Sequence, residues 1–193
     1  MVLKTRTTLA EFLALPETKP YLELMDGEVF EKPMPGRKHS RMTTWLIHLL
    51  LGYLEQTGEG FVDNELVHEY PDEEWVFLPD VSVTLSDRLP DAPADSDDGP
   101  VEILPDFAIE VVSPSDKPGR LQRKIAHYMR SGVRLLWVID PETETVTVWE
   151  PGALPREYAA SERLDARPVL SDFEVDLAQL FAQLHRSGRK SRP

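Results

Sequence analysis

Three charged residues within apolar segments could carry out metal-dependent chemistry. Asp80 lies in Leu78–Val83, Glu110 lies in Phe107–Val112, and Lys124 lies in the amphipathic segment that follows. Two carboxylates at neighbouring strand ends can chelate a divalent cation. A nearby lysine can polarise a phosphate or orient an attacking water, which completes the set of groups used in metal-dependent phosphodiester hydrolysis.

Each of these residues also has a structural explanation. An ionised Glu110 among apolar neighbours loses hydration unless a metal ion, a lysine or backbone N–H groups compensate for it. Asp80 could end a turn, and Glu110 could form a structural ion pair. Lys124 lies at the edge of the apolar stripe of its predicted helix, from which a lysine usually extends into solvent, although it could also reach Glu110. Lys117, in the turn before that helix, is the rival lysine.

Periodicity and turn residues predict the elements that position these side chains. Thr8 and Glu11 form a capping-box pattern, and Asp26-Gly27 predicts a hairpin turn. The predicted elements are a short helix at Leu9–Leu15, a hairpin at Tyr21–Lys32, a helix at Lys38–Gln56, a second helix that follows Pro118-Gly119 and extends to Arg130, strands at Phe61–Tyr70, Trp75–Leu85, Phe107–Val112, Arg134–Ile139 and Thr145–Trp149, and a final strand and short helix within Phe173–Phe181. A strand–helix–strand unit joins parallel strands, whereas hairpins imply antiparallel pairs. We therefore expect a mixed, twisted β-sheet flanked by helices.

Composition limits the class of protein. At 193 residues, 41% of them hydrophobic, the chain suits one domain with its own core. It contains no cysteine, which excludes disulfides and thiolate metal sites and favours a reducing cytoplasm. No apolar stretch approaches the length of a membrane span, and Met1–Thr8 lacks the apolar core of a signal peptide.

The net charge of −13 argues against sequence-independent binding to nucleic acid. Much of the acidic excess lies in the proline-containing segment Asp87–Asp106, which predicts a surface loop. We expect this loop to lie away from Asp80 and Glu110, because clustered carboxylates would repel a phosphate. The basic tail 186–193 is predicted to be disordered. The cations expected at the mouth of the site are Arg37, Lys38, Arg41, Arg120 and Arg123.

Other catalytic classes lack their characteristic residues. The histidines have no zinc-ligand spacing, and Ser113 and Ser115 have neither a nucleophile elbow nor a convincing histidine partner. The chain also contains no glycine-rich phosphate loop. The carboxylate pair with a lysine is therefore the strongest chemical pattern in the sequence.

The order and spacing of several motifs resemble those of the Uma-two family, whose members are described as restriction endonucleases of the PD-(D/E)xK nuclease superfamily. The motifs that carry the resemblance are Tyr21–Glu28, His39 at the start of the long helix, Leu78–Asp80, Ile109–Asp116, Lys124–Val133, Leu136–Pro141 and Asp176–Phe181. Each motif is weak alone, but together they cover most of the chain.

The resemblance implies a restriction-endonuclease-like α/β core of order αβββαβ with an N-terminal β-hairpin, forming one domain over residues 1–185. It also implies an endonuclease that hydrolyses the phosphodiester bonds of DNA with Mg²⁺ or Mn²⁺. A homodimer is the expected assembly.

The resemblance also implies a role for particular residues. Asp80 and Glu110 match the two metal-binding acids of the superfamily. Its usual lysine position is occupied here by Val112, so that Lys124 on the following helix would take that role. Glu23 matches an acid that supports the metal or the attacking water. His39 matches a family position and is either a capping residue or a catalytic one.

Two other functions stay open from the sequence. The chain could be a catalytically silent member that uses the same fold as a binding or regulatory module. It could also be a metal-dependent hydrolase of a smaller phosphoester, which an acidic surface suits better than long duplex DNA. Stabilisation by a divalent metal would distinguish either enzyme from the silent module.

Overall fold

The computed structural model describes residues 6–70, 74–89 and 99–185. Within these ranges the chain forms four helices, twelve strands and a 3-10 turn at Ser86–Arg88. The elements are α1 (Leu9–Leu13), β1 (Leu22–Met25), β2 (Glu28–Glu31), α2 (Arg37–Thr57), β3 (Gly60–Asn64), β4 (His68–Tyr70), β5 (Trp75–Phe77), β6 (Val81–Leu85), β7 (Phe107–Val111), α3 (Pro118–Ser131), β8 (Leu135–Asp140), β9 (Thr145–Trp149), β10 (Arg156–Ala159), β11 (Arg163–Asp165), β12 (Glu174–Asp176) and α4 (Leu177–His185). The predicted tail 186–193 lies outside the described residues.

A central six-stranded sheet has the strand order β10-β9-β8-β7-β6-β3. β7 and β8 run parallel and are joined through α3, while the other neighbouring pairs are antiparallel. The strands β3, β6 and β7 between α2 and α3, followed by β8, give the order αβββαβ. The predicted mixed sheet flanked by helices is therefore confirmed.

The two faces of the central sheet carry different layers. Met42 and Leu46 of α2 pack with Phe107 and Ile109 on one face, which α4 also covers. Tyr128 of α3 packs with Ala108 and Leu136 on the other face, together with residues of a second sheet of order β2-β1-β5-β4. Because successive strand residues point to opposite faces, the side chain of Glu110 points to the α3 side, as Ala108 does.

Local signals in the N-terminal part of the chain have the predicted effect. The side chain of Thr8 accepts a hydrogen bond from the backbone of Glu11, and the side chain of Glu11 accepts one from the backbone of Thr8, which completes the capping box of α1. β1 and β2 are joined by a two-residue turn in which Asp26 and Gly27 have φ values of +50° and +74°. Such left-handed values at both positions are typical of the tightest hairpin turns.

Two predicted strands are each broken in the structure. Phe61–Tyr70 divides into β3 and β4, and Trp75–Leu85 divides into β5 and β6. In both cases one part belongs to the central sheet and the other to the four-stranded sheet. The first break contains Glu65, whose φ is +52°. The edge strand β10 and the short strand β11 were not predicted from the sequence.

The prediction of a surface loop at Asp87–Asp106 is wrong at its C-terminal end. Asp106 is fully buried, and its Oδ2 accepts a hydrogen bond from the backbone N–H of Leu85 at 3.0 Å. Arg88 and Arg134 approach Oδ1 at 3.1 and 3.5 Å. The central part of the predicted loop, 90–98, lies outside the described residues. No helix in the described ranges is long and apolar enough to cross a membrane.

Candidate active site

Asp80 and Glu110 are brought together by the antiparallel pairing of β6 with β7. The register pairs Val81 with Ile109 and Ser82 with Ala108. Continued by one residue, it sets Asp80 opposite Glu110, and both side chains then point to the α3 face. Directly opposed residues in an antiparallel pair have Cβ atoms about 5 Å apart. The two carboxylates are thus neighbours in a buried environment, being 2% and 7% exposed.

The Asp80 carboxylate is held by three groups. Its Oδ2 accepts hydrogen bonds from the backbone N–H of Val111 at 2.7 Å and from Nε2 of His39 at 2.9 Å. Its Oδ1 lies 2.9 Å from the Nζ of Lys32. Burial by itself would raise the pKa of Asp80, but Lys32 and His39 outweigh this effect and hold the pKa well below its usual value. Asp80 is therefore ionised.

Glu110 has two partners on a single oxygen. Tyr128 donates its hydroxyl hydrogen to Oε1 at 2.7 Å, and Lys124 Nζ lies 2.7 Å from the same atom. Burial raises the pKa of Glu110, and the charge of Lys124 offsets this only in part while Asp80 adds to it. Because both partners contact Oε1, Oε2 is the oxygen that remains for a further ligand.

Lys124 joins Glu110 to Glu23 of the hairpin. Its Nζ donates to Oε1 of Glu23 at 2.9 Å, and Arg120 forms an ion pair with the other carboxylate oxygen. Burial raises the pKa of Glu23, but Lys124 and Arg120 lower it by more. Lys124 is only 5% exposed. The expectation that its ammonium extends into solvent is therefore wrong, whereas the alternative that it reaches Glu110 is what the structure shows.

A cavity of about 40 Å³ lies at this point, and the side chains predicted from the sequence line it. They are Glu23, His39, Asp80, Glu110 and Lys124. Val112, at the usual lysine position of the superfamily, and the rival Lys117 also line the cavity. Lys117 is exposed, whereas Lys124 contacts both Glu23 and Glu110. The geometry thus favours Lys124 over Lys117 as the lysine of the candidate active site.

Two residues of the cluster were not singled out from the sequence as functional. Lys32, which follows β2, contacts Asp80, and Tyr128 contacts Glu110. Tyr128 belongs to the motif Lys124–Val133 and to the apolar stripe of α3, but it was given no role at the site. Its spacing of four residues after Lys124 places both on one helix face, and this was the available signal. For Lys32 the sequence offered no such signal apart from its position at the end of the hairpin.

The cations predicted to line the mouth of the site are separated in the structure. Arg120 lines the cavity as expected. Lys38 instead pairs with Glu142 at 2.8 Å, and Arg123 pairs with Asp26 at 2.8 Å. Arg41 lines a different groove on α2, beside Trp45 and His48. Much of the positive charge near the site is thus used to neutralise the protein's own carboxylates.

The residues present fit a small, hard divalent cation. No group of three or more His, Asp or Glu side chains in the described ranges is arranged to hold a metal. Mg²⁺, however, prefers oxygen ligands, keeps several of its waters and is usually bound through one or two carboxylates. Asp80 and Glu110 supply that number. A cavity of about 40 Å³ also has room for more than one water molecule, since one needs roughly 10–15 Å³.

The central sheet, its αβββαβ order and the acids at the β6–β7 junction define a nuclease fold of the restriction-endonuclease-like class. The chain belongs to the Uma2 family, described as "Putative restriction endonuclease", whose family model matches residues 9–178. The resemblance inferred from the motifs is thereby confirmed.

A solved structure supports the same assignment. The chain is similar to the crystal structure of a putative nuclease belonging to DUF820 from Anabaena variabilis ATCC 29413. The two chains are 27% identical and superpose with a TM-score of 0.81, over 92% of this chain and 98% of the other. A comparison with curated proteins finds no match. Family and structural neighbour together indicate a nuclease.

Proposed function

We propose that this protein is a Mg²⁺- or Mn²⁺-dependent endonuclease that hydrolyses phosphodiester bonds of DNA, with Asp80 and Glu110 as metal ligands. The observation that carries the proposal is the placement of these two buried carboxylates opposite each other, with Lys124 on Glu110, in one cavity. Hydrolysis adds a water oxygen to phosphorus and breaks one P–O ester bond. A bound divalent ion would supply Lewis acidity and a more acidic water for this reaction.

The residues of the chain have distinct tasks in this proposal. His39 and the Val111 N–H fix the orientation of Asp80, and Tyr128 fixes that of Glu110. The Lys124 ammonium has three N–H donors and directs two of them at Glu23 and Glu110. The third is available to the phosphate, whose negative charge it would stabilise in the transition state. Glu23 would act by positioning Lys124.

The size of the cavity favours a polymer substrate over a small phosphoester. Sites that enclose a small ligand typically have volumes of about 300–1,000 Å³, whereas this cavity measures about 40 Å³. A cavity of this size suits a phosphate oxygen or an ion with a few of its waters. A substrate would therefore pass over the opening and present one phosphate, which a nucleic acid backbone can do.

One observation favours the alternative of a catalytically silent module. The three carboxylates Glu23, Asp80 and Glu110 are opposed by three cations of the chain, Lys32, Arg120 and Lys124. The charges of these six groups balance without any added ion, as they would in a purely structural network. Metal binding is the property that separates the two functions.

A plasmid-nicking assay combined with thermal unfolding tests the proposal. We expect the wild type to nick supercoiled DNA in millimolar Mg²⁺ or Mn²⁺, and to gain unfolding free energy by about 2.7 kcal/mol at a metal concentration of 100 Kd. Asp80→Asn should lose both effects, because a neutral amide is a poor ligand for a divalent ion.

Asp172→Asn is the matched control, since it removes one charge from an exposed aspartate outside the cavity lining. It should nick DNA and respond to metal as the wild type does. A metal response that persists in Asp80→Asn would contradict the proposed ligand. The absence of both nicking and metal stabilisation in the wild type would favour the silent module, whereas stabilisation by metal without nicking would favour a hydrolase of a smaller phosphoester. The expected homodimer stays a prediction that light scattering can check.

A further inference from the structure

Lys32 lies in a cage of three oxygen atoms next to the proposed metal site. Its Nζ donates to the backbone carbonyl of Leu78 at 2.8 Å and lies 2.9 Å from Asp80 Oδ1 and 3.1 Å from Glu65 Oε1. The residue is 7% exposed. An ammonium has three N–H donors and no acceptor, and here it has one hydrogen bond, to the carbonyl, and two ion pairs, with the carboxylates. Two carboxylates and a carbonyl are also the ligands that a hard divalent cation would take.

The surrounding structure holds this ammonium in place. Glu65, whose carboxylate contacts Lys32, has a backbone φ of +52°. This left-handed conformation is uncommon for a residue other than glycine, asparagine or aspartate. The cage is thus formed by two segments of the chain, Leu78–Asp80 and the residue Glu65.

The contacts of Asp80 limit how many further cations it can hold. A carboxylate has about four acceptor positions on its two oxygens. Lys32, His39 and the Val111 N–H contact three of them. One position is left for a ligand bond. A second metal ion on the far side of Asp80 would have to displace Lys32.

We propose that Lys32 is a built-in cation that takes the place of a second metal ion beside Asp80, so that the site binds one divalent ion, between Asp80 and Glu110. This inference rests on the proposed function, since it presumes that those acids bind metal. Two-metal sites hold their ions about 3.5–4 Å apart and let both stabilise the reacting phosphate. Here a fixed ammonium would supply part of that second charge.

The stoichiometry of Mn²⁺ binding, measured by isothermal titration calorimetry, tests the inference. The wild type should bind one equivalent. Lys32→Met keeps the length and apolar character of the side chain but removes its charge, leaving the cage of Leu78, Asp80 and Glu65 oxygens without a cation. This variant should bind two equivalents. Lys38→Met is the matched control, because Lys38 is an exposed lysine paired with Glu142, and it should bind one.

The outcomes separate this inference from the proposed function. A wild type that binds no Mn²⁺ would refute the metal site itself. Two equivalents in the wild type, or a single equivalent in folded Lys32→Met, would overturn the role of Lys32 and leave the metal site intact. If Lys32→Met does not fold, electron paramagnetic resonance of the wild type decides: at saturating Mn²⁺ we expect the spectrum of isolated ions, and the spectrum of exchange-coupled ions would overturn the inference.

Discussion

Lys124 neutralises Glu23 and Glu110 at the same time, so it contributes to folding as well as to the proposed chemistry. It is buried, and its ammonium lies within 2.9 Å of an oxygen of each partner. Removing one member of a buried ion pair leaves the other charge uncompensated, which is strongly destabilising. Replacing Lys124 by alanine or methionine would therefore lower the free energy of unfolding as well as the activity.

For Lys124→Met we expect the free energy of unfolding to fall by about 3–5 kcal/mol and DNA nicking to decrease by orders of magnitude. Urea denaturation and the nicking assay measure the two effects. Lys124→Arg should recover more of the stability than of the activity, because a planar guanidinium keeps the charge but not the position of the ammonium.

Lys117→Met is the control for stability, and as a change at an exposed position it should stay within about 0.5 kcal/mol of the wild type. If this variant were inactive while Lys124→Met still cleaved DNA, the catalytic lysine would be Lys117.

At the scale of single residues, the sequence predicted the acids better than the cations. Asp80 and Glu110 stand out because each interrupts an apolar segment, which is a local signal. Lys32 and Arg120 are separated from their partners Asp80 and Glu23 by long stretches of chain, and many lysines and arginines have the same local surroundings. Lys32 is selected by the position of the hairpin end beside Asp80, and Arg120 is selected by the packing of β1 against α3.

At the scale of elements, α3 is attached to the hairpin β1–β2 through its basic side. Arg120 pairs with Glu23 and donates a second hydrogen bond to the backbone oxygen of Glu31 at 2.7 Å. Its guanidinium also lies over the ring of Phe30, with 5.0 Å between Cζ and the ring centroid. The position of Glu23, and through it that of Lys124, therefore depends on how the hairpin docks on this helix.

Arg120→Met should weaken this docking. We expect a loss of about 1.5–3 kcal/mol in unfolding free energy, the usual worth of hydrogen bonds to a charged group, together with faster amide hydrogen exchange in β1 and β2. Arg123→Met is the matched control on the same helix, since Arg123 is 39% exposed and pairs with the half-exposed Asp26. It should cost no more than about 1 kcal/mol. Equal effects of the two substitutions would argue against a special role for Arg120.

The division of the strands between two sheets was the part of the fold that the sequence did not predict. Residues 75–85 were predicted as one strand, yet the chain leaves the four-stranded sheet after Phe77 and enters the central sheet at Val81. Local alternation specifies which side chains are buried but not which strand is the neighbour. β10 was missed for a different reason: it is an edge strand with three exposed residues out of four, and so it lacks an apolar period.

At the scale of the whole molecule, a buried histidine links stability to pH. His68 is fully buried, donates from Nδ1 to the carbonyl of Ile103 at 2.8 Å and accepts at Nε2 from the hydroxyl of Ser82 at 3.2 Å. Burial lowers its pKa from 6.5 to about 4. As the pH falls, the unfolded chain takes up a proton near pH 6.5 but the folded protein does so only near pH 4. Stability is thus complete above pH 6.5 and decreases below it.

His68→Gln should reduce this pH dependence. Across the window from pH 6.5 to 4 the contribution of His68 is on the order of 3 kcal/mol, at about 1.36 kcal/mol for each pKa unit. Urea denaturation at several pH values should show a decrease in unfolding free energy that is smaller in the variant by this amount. His48→Gln, at an exposed position, should keep the slope of the wild type. An unchanged slope in His68→Gln would show that other groups cause the acid sensitivity.

Asp106 links the end of β6 to the start of β7, and this link bears on where the chain could accept an insertion. Its carboxylate binds the N–H of Leu85, and its own N–H donates to the carbonyl of Val83 at 2.9 Å. The end of β6 and the start of β7 are therefore joined directly, independently of the residues between them. Since the entropy of closing a loop changes slowly with its length, a reporter peptide or a targeting domain inserted ahead of Gly99 should leave this junction intact, as long as Val101 keeps its pairing with β4 and Ile103 its hydrogen bond to His68. Such a fusion would leave Asp80 and Glu110 in register at the other end of the same two strands.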